Sequence, residues 1–321
     1  MSRTAILGID TSNYCTSLCL IDMEGNRLAD RRQWLSVAEG EKGLQQSAAV
    51  FQHVRNLPLL FESVDLNGIH IGGVCVSRTP RPVEGSYMPV FQVGTGWGTS
   101  LAHAWGAPCF FTTHQEGHIE AGVKTADRPM TDGSFLAVHL SGGTTEVLRV
   151  DPLPDGYRVE LLGGTKDLNA GQLVDRLGVS MGLSFPAGRE LENIALQADG
   201  SEKVTVPSSV QGLQCSFSGP ATHLLRMWER REASKEAIAF AAFRCIANTL
   251  EKLLLHAWEN RLPKQVLIVG GVAANRLIRE RLRSRLEHPA VGASLHFADP
   301  RFSGDNAYGV ASLGLKKSNV L

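Results

Sequence analysis

The sequence has no excess charge of either sign. Its 321 residues carry 32 Lys+Arg against 32 Asp+Glu, a formal net charge of +0 and a pI near 7.1. Such a balance gives no global attraction to nucleic acid, so any contact with a polyanion has to be local. One local concentration is Arg276, Arg279, Arg281, Arg283 and Arg285 on a predicted helix, where the interspersed Glu280 and Glu287 favour a solvated face. No C-x-x-C pair occurs among the six cysteines, at 15, 19, 75, 109, 215 and 245, and three of them sit in apolar runs. That usage suits a reducing cytosol and argues against a disulfide framework. No apolar run reaches bilayer length, and Ala5-Ile6-Leu7-Gly8-Ile9 opens the chain as a strand without a secretory pattern. A cytoplasmic protein with no membrane partner is the expectation.

What is present is an ordinary globular balance, 43% hydrophobic and 20% charged, in a chain long enough for two domains. Ile6-Leu7-Gly8-Ile9-Asp10-Thr11-Ser12-Asn13 leads into Thr16–Ile21, and Phe135–Gly143 leads into Thr144–Leu148. Each is an apolar strand, a tight turn of hydroxyl or glycine residues, and a second strand. Such turns present backbone N–H groups to a phosphate. Two of them, each opening a half of strands and helices, predict a duplicated α/β domain with nucleotide between the copies. Helices are predicted over 45–64, 87–105, 170–183, 188–196 and 235–260, and Gln265–Asn275 reads as strand, glycine turn and helix start. The polar segment Lys124–Ser134 is the expected boundary. The lobes are then residues 1–125, with a C-terminal helix 303–321 packing back near them, and residues 126–302.

The segment Thr113-His114-Gln115-Glu116-Gly117-His118-Ile119-Glu120 carries the chemistry. Two histidines four apart on a helix project from one face and can grip one metal ion. Zinc and iron both accept neutral imidazole, and at least one further ligand has to come from elsewhere. The spacing does not fit H-E-x-x-H, because Glu116 lies two residues after the first histidine, so a metalloprotease is not indicated.

Taken together the motifs resemble the tRNA threonylcarbamoyladenosine transferase family (TsaD, formerly glycoprotease-like). The resemblance runs nearly end to end. It rests on His114-Gln115-Glu116-Gly117-His118, Leu140–Thr145, Ala170-Gly171-Gln172-Leu173-Val174-Asp175, Phe185–Gly188, Ser216–Gly219, Gly270–Arg276 and Gly304-Asp305-Asn306-Ala307. It implies two RNase H-like lobes of the actin/sugar-kinase/heat-shock-protein ATPase fold, with a cleft between them. It implies a divalent metal, iron or zinc, on His114, His118 and Asp305. His139 falls where some members use a tyrosine ligand, so a third imidazole and a core histidine both stay open. Asp175, Gly188 and Glu192 match ribose-contacting positions, Asn275 an adenine contact, and Ser141, Gly142 and Gly143 the phosphate-side loop. The bound nucleotide implied is ATP or threonylcarbamoyl-adenylate. The implied activity is acyl (carbamoyl) transfer from that adenylate to N6 of the anticodon-adjacent adenosine of tRNA. The implied partners are tRNA and a TsaB-like paralogous subunit or a second copy of the chain.

Three departures stand out. The family's first turn carries an aspartate where this chain has Tyr14, within Thr11-Ser12-Asn13-Tyr14, and a phenol cannot act as a carboxylate base. The family's glycine-rich loop is here Arg78-Thr79-Pro80-Arg81-Pro82-Val83-Glu84-Gly85. Thr144 and Gln172 stand where a histidine and a glutamate are usual. Metal and ribose positions are kept while residues around the reacting carbonyl change. The alternatives are therefore a divergent paralog acting on another acceptor, or a non-catalytic nucleotide-binding scaffold.

Overall fold

A computed structural model describes residues 3–12, 14–37 and 44–320. In chain order its elements are β1 (Arg3–Thr11), β2 (Cys15–Asp22), β3 (Arg27–Trp34), α1 (Gln46–Glu62), β4 (Ile69–Thr79), α2 (Val90–Trp105), β5 (Cys109–Thr113) and α3 (His114–Thr125). There follow β6 (Phe135–Leu140), β7 (Thr145–Leu153), β8 (Gly156–Thr165), α4 (Ala170–Ser180), α5 (Gly188–Ala195), β9 (Ser209–Gln211), β10 (Gln214–Ser216) and α6 (Ser218–Glu229). The chain continues with α7 (Lys235–Glu259), β11 (Gln265–Val269), α8 (Arg276–Leu286), β12 (Ser294–Phe297), α9 (Pro300–Ser303) and α10 (Tyr308–Ser318). It divides into two compact units, residues 1–125 with 152–158 and 304–321, and residues 126–151 with 159–303. The tip of the β7–β8 hairpin thus belongs with the first unit, which nothing in its sequence indicates.

The first sheet runs β3-β2-β1-β4-β5, with β1, β2 and β3 antiparallel in turn and β4 and β5 parallel to β1. The second runs β12-β11-β6-β7-β8-β10-β9. There β6 and β7 form the antiparallel hairpin, and β11 and β12 run parallel to β6. The two strand–turn–strand segments therefore open two copies of one topology, and β10 and β9 extend the second.

Strand β1 shows how the first unit is layered. Side chains alternate across a strand, so one face takes Ala5, Leu7 and Ile9 and the other Ile6, Gly8 and Asp10. The odd residues pack with Leu18, Leu20, Leu57, Val74, Val76 and Ala102 under α1 and α2. Ile6 packs with Cys19, Ile21, Ala307 and Ala311 under α10. Burying each large aliphatic side chain contributes about 1.5–3 kcal/mol, so both helical layers hold the strand firmly. Two glycines let α10 approach. A Cβ on Gly8 would stand 2.6 Å from the Ala307 carbonyl, and one on Gly309 would stand 1.9 Å from that of Gly117 in α3. Asp10 is left at the end of this face, buried.

The second unit is centred on α7, whose Ala237, Ile238, Ala241, Ile246 and Leu253 pack with Leu136, Val138 and Leu140 of β6. Ser234 caps α7 by accepting from the Ala237 amide at 3.2 Å. The arginines of α8 are all occupied. Arg276 donates to Glu280, Arg281 to Asn248, Arg283 to Asp127 and Arg285 to Glu251, while Arg279 donates to the Ala273 and Ala298 carbonyls. The six cysteines are all free thiols. Among the described residues no helix is long and apolar enough to cross a membrane.

Candidate metal centre

The junction of β5 and α3 sets the histidine pair. Glu116 is buried and turns back on its own helix start: its Oε2 accepts from the Thr113 amide at 3.0 Å and from the hydroxyls of Thr112 and Thr113 at 3.1 and 2.9 Å. Its Oε2 is engaged as a helix-start cap, in keeping with a site that is not H-E-x-x-H. One turn apart, His114 and His118 bring their Nε2 atoms to 3.1 Å. The Oδ1 of Asp305 lies 3.5 Å from the first Nε2 and 3.4 Å from the second.

Each donor is held from behind. Asp10 Oδ1 lies 3.0 Å from His114 Nδ1, and a carboxylate only accepts, so Nδ1 carries the proton and Nε2 faces the triangle. Ser77 donates a further hydrogen bond to the same oxygen. Ser12 Oγ donates to Asp305 Oδ2 at 2.7 Å, which leaves Oδ1 toward the imidazoles. Behind Ser12, its carbonyl accepts from His53 Nε2 at 2.7 Å, and His53 Nδ1 accepts from Thr16 Oγ1 at 2.8 Å. Burial lowers the His53 pKa and keeps the ring neutral in this relay.

These three donors fit a first-row divalent ion. Ligands about 2.0–2.1 Å from a metal stand about 3.0 Å apart across a right angle and about 3.4 Å apart across a tetrahedral one. The observed edges of 3.1, 3.4 and 3.5 Å lie in or just above that range, and all donor atoms lie within 4.8 Å of one another. Electrostatics agree. Burial opposes a charged His114, but Asp10 and then Asp305 outweigh it and raise its pKa to about 10. Burial and the neighbouring His114 charge lower that of His118. Burial pushes Asp305 upward, yet hydrogen bonds from both imidazoles hold it well below the carboxylate range. Two carboxylates against one imidazolium leave negative charge in a partly buried site, and a dication answers it.

The second unit gathers the other anticipated residues. Ser141, Gly142 and Gly143 form the β6–β7 turn, held by Ser141 N–H donating to the Thr144 carbonyl at 2.8 Å and Gly171 N–H donating to the Ser141 carbonyl at 3.2 Å. The start of α4 so abuts the turn, with no room for a side chain at Gly171, whose Cβ would stand 2.6 Å from Gly142 Cα. Asp175 Oδ1 accepts from the Ala187 amide at 2.9 Å just before Gly188, and burial raises its pKa. Glu192 accepts from the Arg276 amide at 2.6 Å. Asn275 caps α8 through Oδ1, 3.0 Å from the Ile278 amide, while its buried Nδ2 has no acceptor among the described residues. His139 is a buried residue of β6 in register with Glu146 and Val269, and it is not one of the three clustered donors.

Residues 45–312 match the family described as TsaD: tRNA N6-adenosine threonylcarbamoyltransferase. The chain belongs to the TsaD family. A curated relative from Methanothermobacter thermautotrophicus, a probable bifunctional tRNA threonylcarbamoyladenosine biosynthesis protein, is 31% identical over 314 residues. That match covers 96% of this chain and 55% of the relative, so the chain spans about half the relative's length. Among solved structures, full-length HypF in its phosphate- and nucleotide-bound form superimposes with a TM-score of 0.59 at 15% identity, covering 100% of this chain and 47% of that one. Component A of the Acidaminococcus fermentans (R)-2-hydroxyglutaryl-CoA dehydratase gives a TM-score of 0.56 at 13% identity, covering 98% and 99%. The fold is that of the actin/sugar-kinase/heat-shock-protein ATPases.

The family departures have local roles here. Gln172 Oε1 accepts from the Asn169 amide at 3.0 Å and completes the start of α4. The Arg78 guanidinium lies 5.3 Å from the centroid of the Phe111 ring. Arg81 donates its amide to Ser86 Oγ at 3.0 Å. Tyr14 accepts from the Leu35 amide through its carbonyl, at 2.9 Å, which ties the first turn to the end of β3. Thr11 Oγ1 donates to the Val90 carbonyl and accepts from the Gly94 amide, so it anchors α2. Asn13 lies outside the described residues. Sequence reasoning passed over Asp10, Ser77 and His53. A carboxylate closing the apolar strand Ala5–Ile9 singles out Asp10 as unusual, though nothing in the sequence links it to His114; the others have no signal.

Proposed function

We propose that this TsaD-family chain binds a divalent zinc or iron ion at His114, His118 and Asp305. We propose further that it transfers a threonylcarbamoyl group from its adenylate to N6 of the anticodon-adjacent adenosine of tRNA. The observation that carries the reading is the donor triangle together with its backing by Asp10 and Ser12. A silent scaffold has no use for two carboxylates held in a partly buried site against two imidazoles, a costly arrangement without a cation. When bound, the ion supplies Lewis-acid polarisation and orientation of the reacting group.

The chain's own residues do the rest. Asp10 fixes the His114 tautomer, and Ser12 fixes the Asp305 carboxylate. The Gly142 and Gly143 amides of the β6–β7 turn are backbone donors suited to phosphate, while the first amides of α4 are spent on the turn and on Thr145. Asp175, Gly188 and Glu192 suit a ribose, with carboxylates accepting from its hydroxyls. Asn275 Nδ2, without an acceptor among the described residues, is a donor for an adenine ring nitrogen. In the transfer, N6 attacks the carbamoyl carbon, the bond from that carbon to the phosphate oxygen breaks, a proton leaves N6, and AMP departs. The engaged arginines of α8 and the zero net charge imply that other chains carry much of the tRNA phosphate contact. A TsaB-like subunit or a second copy fits that part.

Tyr14 favours a second reading, in which a divergent paralog serves another acceptor. Incubation with threonine, bicarbonate, ATP, the adenylate-forming enzyme and unmodified tRNA, followed by nucleoside analysis, decides between the two. Modified adenosine supports the first reading. Its absence with the wild type, and its appearance with Tyr14→Asp, supports the second.

A further inference from the structure

A groove of about 360 Å³ opens between the end of β3 and α1, lined by Gln33, Trp34, Ser36, Gln52, Arg55 and Asn56. Nothing in the metal centre or the nucleotide turn uses it. Three features describe its ligand. Trp34 is 58% exposed, a large indole left facing solvent at a strand end, and its Nε1–H has no acceptor among the described residues. Arg55 has no carboxylate partner among the described residues, although the arginines of α8 are all engaged; its one ring contact is Phe51 at 5.9 Å. The remaining walls are amide and hydroxyl. Gln52 is locked to Ser36, accepting from its amide at 2.8 Å and donating to its carbonyl at 3.0 Å, so that wall is stiff. An aromatic plate, a guanidinium without a carboxylate partner among the described residues and polar walls do not suit an apolar peptide. They suit a planar base with an attached phosphate.

The groove also comes close to the residue before Asp305, within the same unit. Trp34 and Gln33 pair across the sheet with Cys15 and Thr16, directly after the first turn. The tip of the Trp34 ring comes 3.6 Å from where a Cβ on Gly304 would stand, and Gly304 precedes Asp305. Asn56 Nδ2 donates to Thr16 Oγ1 at 3.2 Å, which joins the groove to the His53–Ser12–Asp305 relay.

We propose that this groove binds one nucleotide of single-stranded RNA, its base stacked on Trp34 and its phosphate on Arg55, flanking the acceptor adenosine. The proposal rests on the tRNA reading above and adds the subsite. It is tested with the full chain and a short labelled stem-loop RNA whose loop carries an unpaired adenosine, with a fully paired duplex as control, by fluorescence anisotropy across a salt titration. Trp34→Ala weakens stem-loop binding about 5- to 150-fold, the range for losing a stacking platform, and Trp34→Phe restores most of it. Arg55→Gln lowers the slope of log affinity against log salt by about 0.7, the value for one single-strand phosphate. Metal content stays that of the wild type in all three variants. If the wild type binds the stem-loop while Trp34→Ala and Arg55→Gln bind it equally well, the groove is wrong and the tRNA reading stands. Equal affinity for duplex and stem-loop also overturns the groove. A wild type that binds neither overturns the groove, and the nucleoside assay above decides the tRNA reading separately.

Discussion

Replacing Asp10 by asparagine separates the carboxylate's charge from its shape. Asp10 is fully buried, and its Oδ1 takes the His114 Nδ1–H at 3.0 Å. The asparagine amide keeps an acceptor in place but not the charge. A hydrogen bond to a charged partner contributes about 1.5–3 kcal/mol and a neutral one about 0.5–1.5 kcal/mol. The difference, about 1–1.5 kcal/mol, corresponds to about a 5- to 12-fold rise in the metal dissociation constant. Asp10→Ala also strands the Ser77 hydroxyl and the His114 N–H, and its loss is about 10- to 100-fold, as for other groups that back a metal-ligating histidine. The metal-free protein is affected too: Asp10 is the first of the carboxylates that raise the His114 pKa, so the asparagine variant leaves a partly buried imidazolium without that partner and melts lower than the wild type at neutral pH. Competition with a chromophoric chelator reads the affinity, and thermal melts with and without metal read the second effect. An Asp10→Asn protein with wild-type metal affinity refutes the reasoning.

Three further outcomes follow from the packing. Gly309→Ala places a methyl 1.9 Å from the Gly117 carbonyl, forces α10 off α3 and destabilises by about 1–3 kcal/mol or more, read as a lower denaturant midpoint; an unchanged midpoint contradicts the close approach. Glu116→Gln keeps the full metal content but lowers stability, because this carboxylate caps α3; loss of metal would instead place it at the centre. Burial works to raise the Asp167 pKa, but hydrogen bonds from Ser216, Ser218 and the Phe217 and Leu168 amides outweigh it and hold the carboxyl well below its usual value. A depressed folded pKa stabilises above the unfolded value and loses that contribution as pH falls through the folded one. Asp167→Asn therefore destabilises at neutral pH and flattens the loss of stability below about pH 4, where the unfolded carboxyl titrates. An equally steep acid limb in the variant would contradict this.

Much of the architecture is legible because it rests on local periodicity. The i, i+4 histidines of α3, the long apolar helix at α7 and the paired strand–turn–strand segments are repeats that a chain displays directly. Asp305 lies 187 positions beyond His118, and only the family pattern links the two (305 − 118 = 187). Asp10 escapes a reading of the sequence because a lone carboxylate at a strand end has no spacing relation to His114; α3 and β1 meet only through the fold. Strand β3 escapes it too, because Arg27–Trp34 is mostly polar, as a sheet edge permits, and its pattern has no buried face. The hairpin tip at 152–158 joins the first unit through Tyr157, which donates to Glu120 Oε2 at 2.5 Å beside Lys316, a buried link formed from residues far apart in sequence. The arginine run of α8 teaches the opposite lesson: charges that look free in sequence find partners on α7 and before β6.

The most direct test is the metal content of the chain purified without chelator, beside His118→Ala and Asp305→Ala, by elemental analysis. The account predicts a single zinc or iron per wild-type chain and its loss from both variants, with their folds intact by circular dichroism. Equal metal in all three proteins, or none in a folded wild type offered either ion, contradicts it.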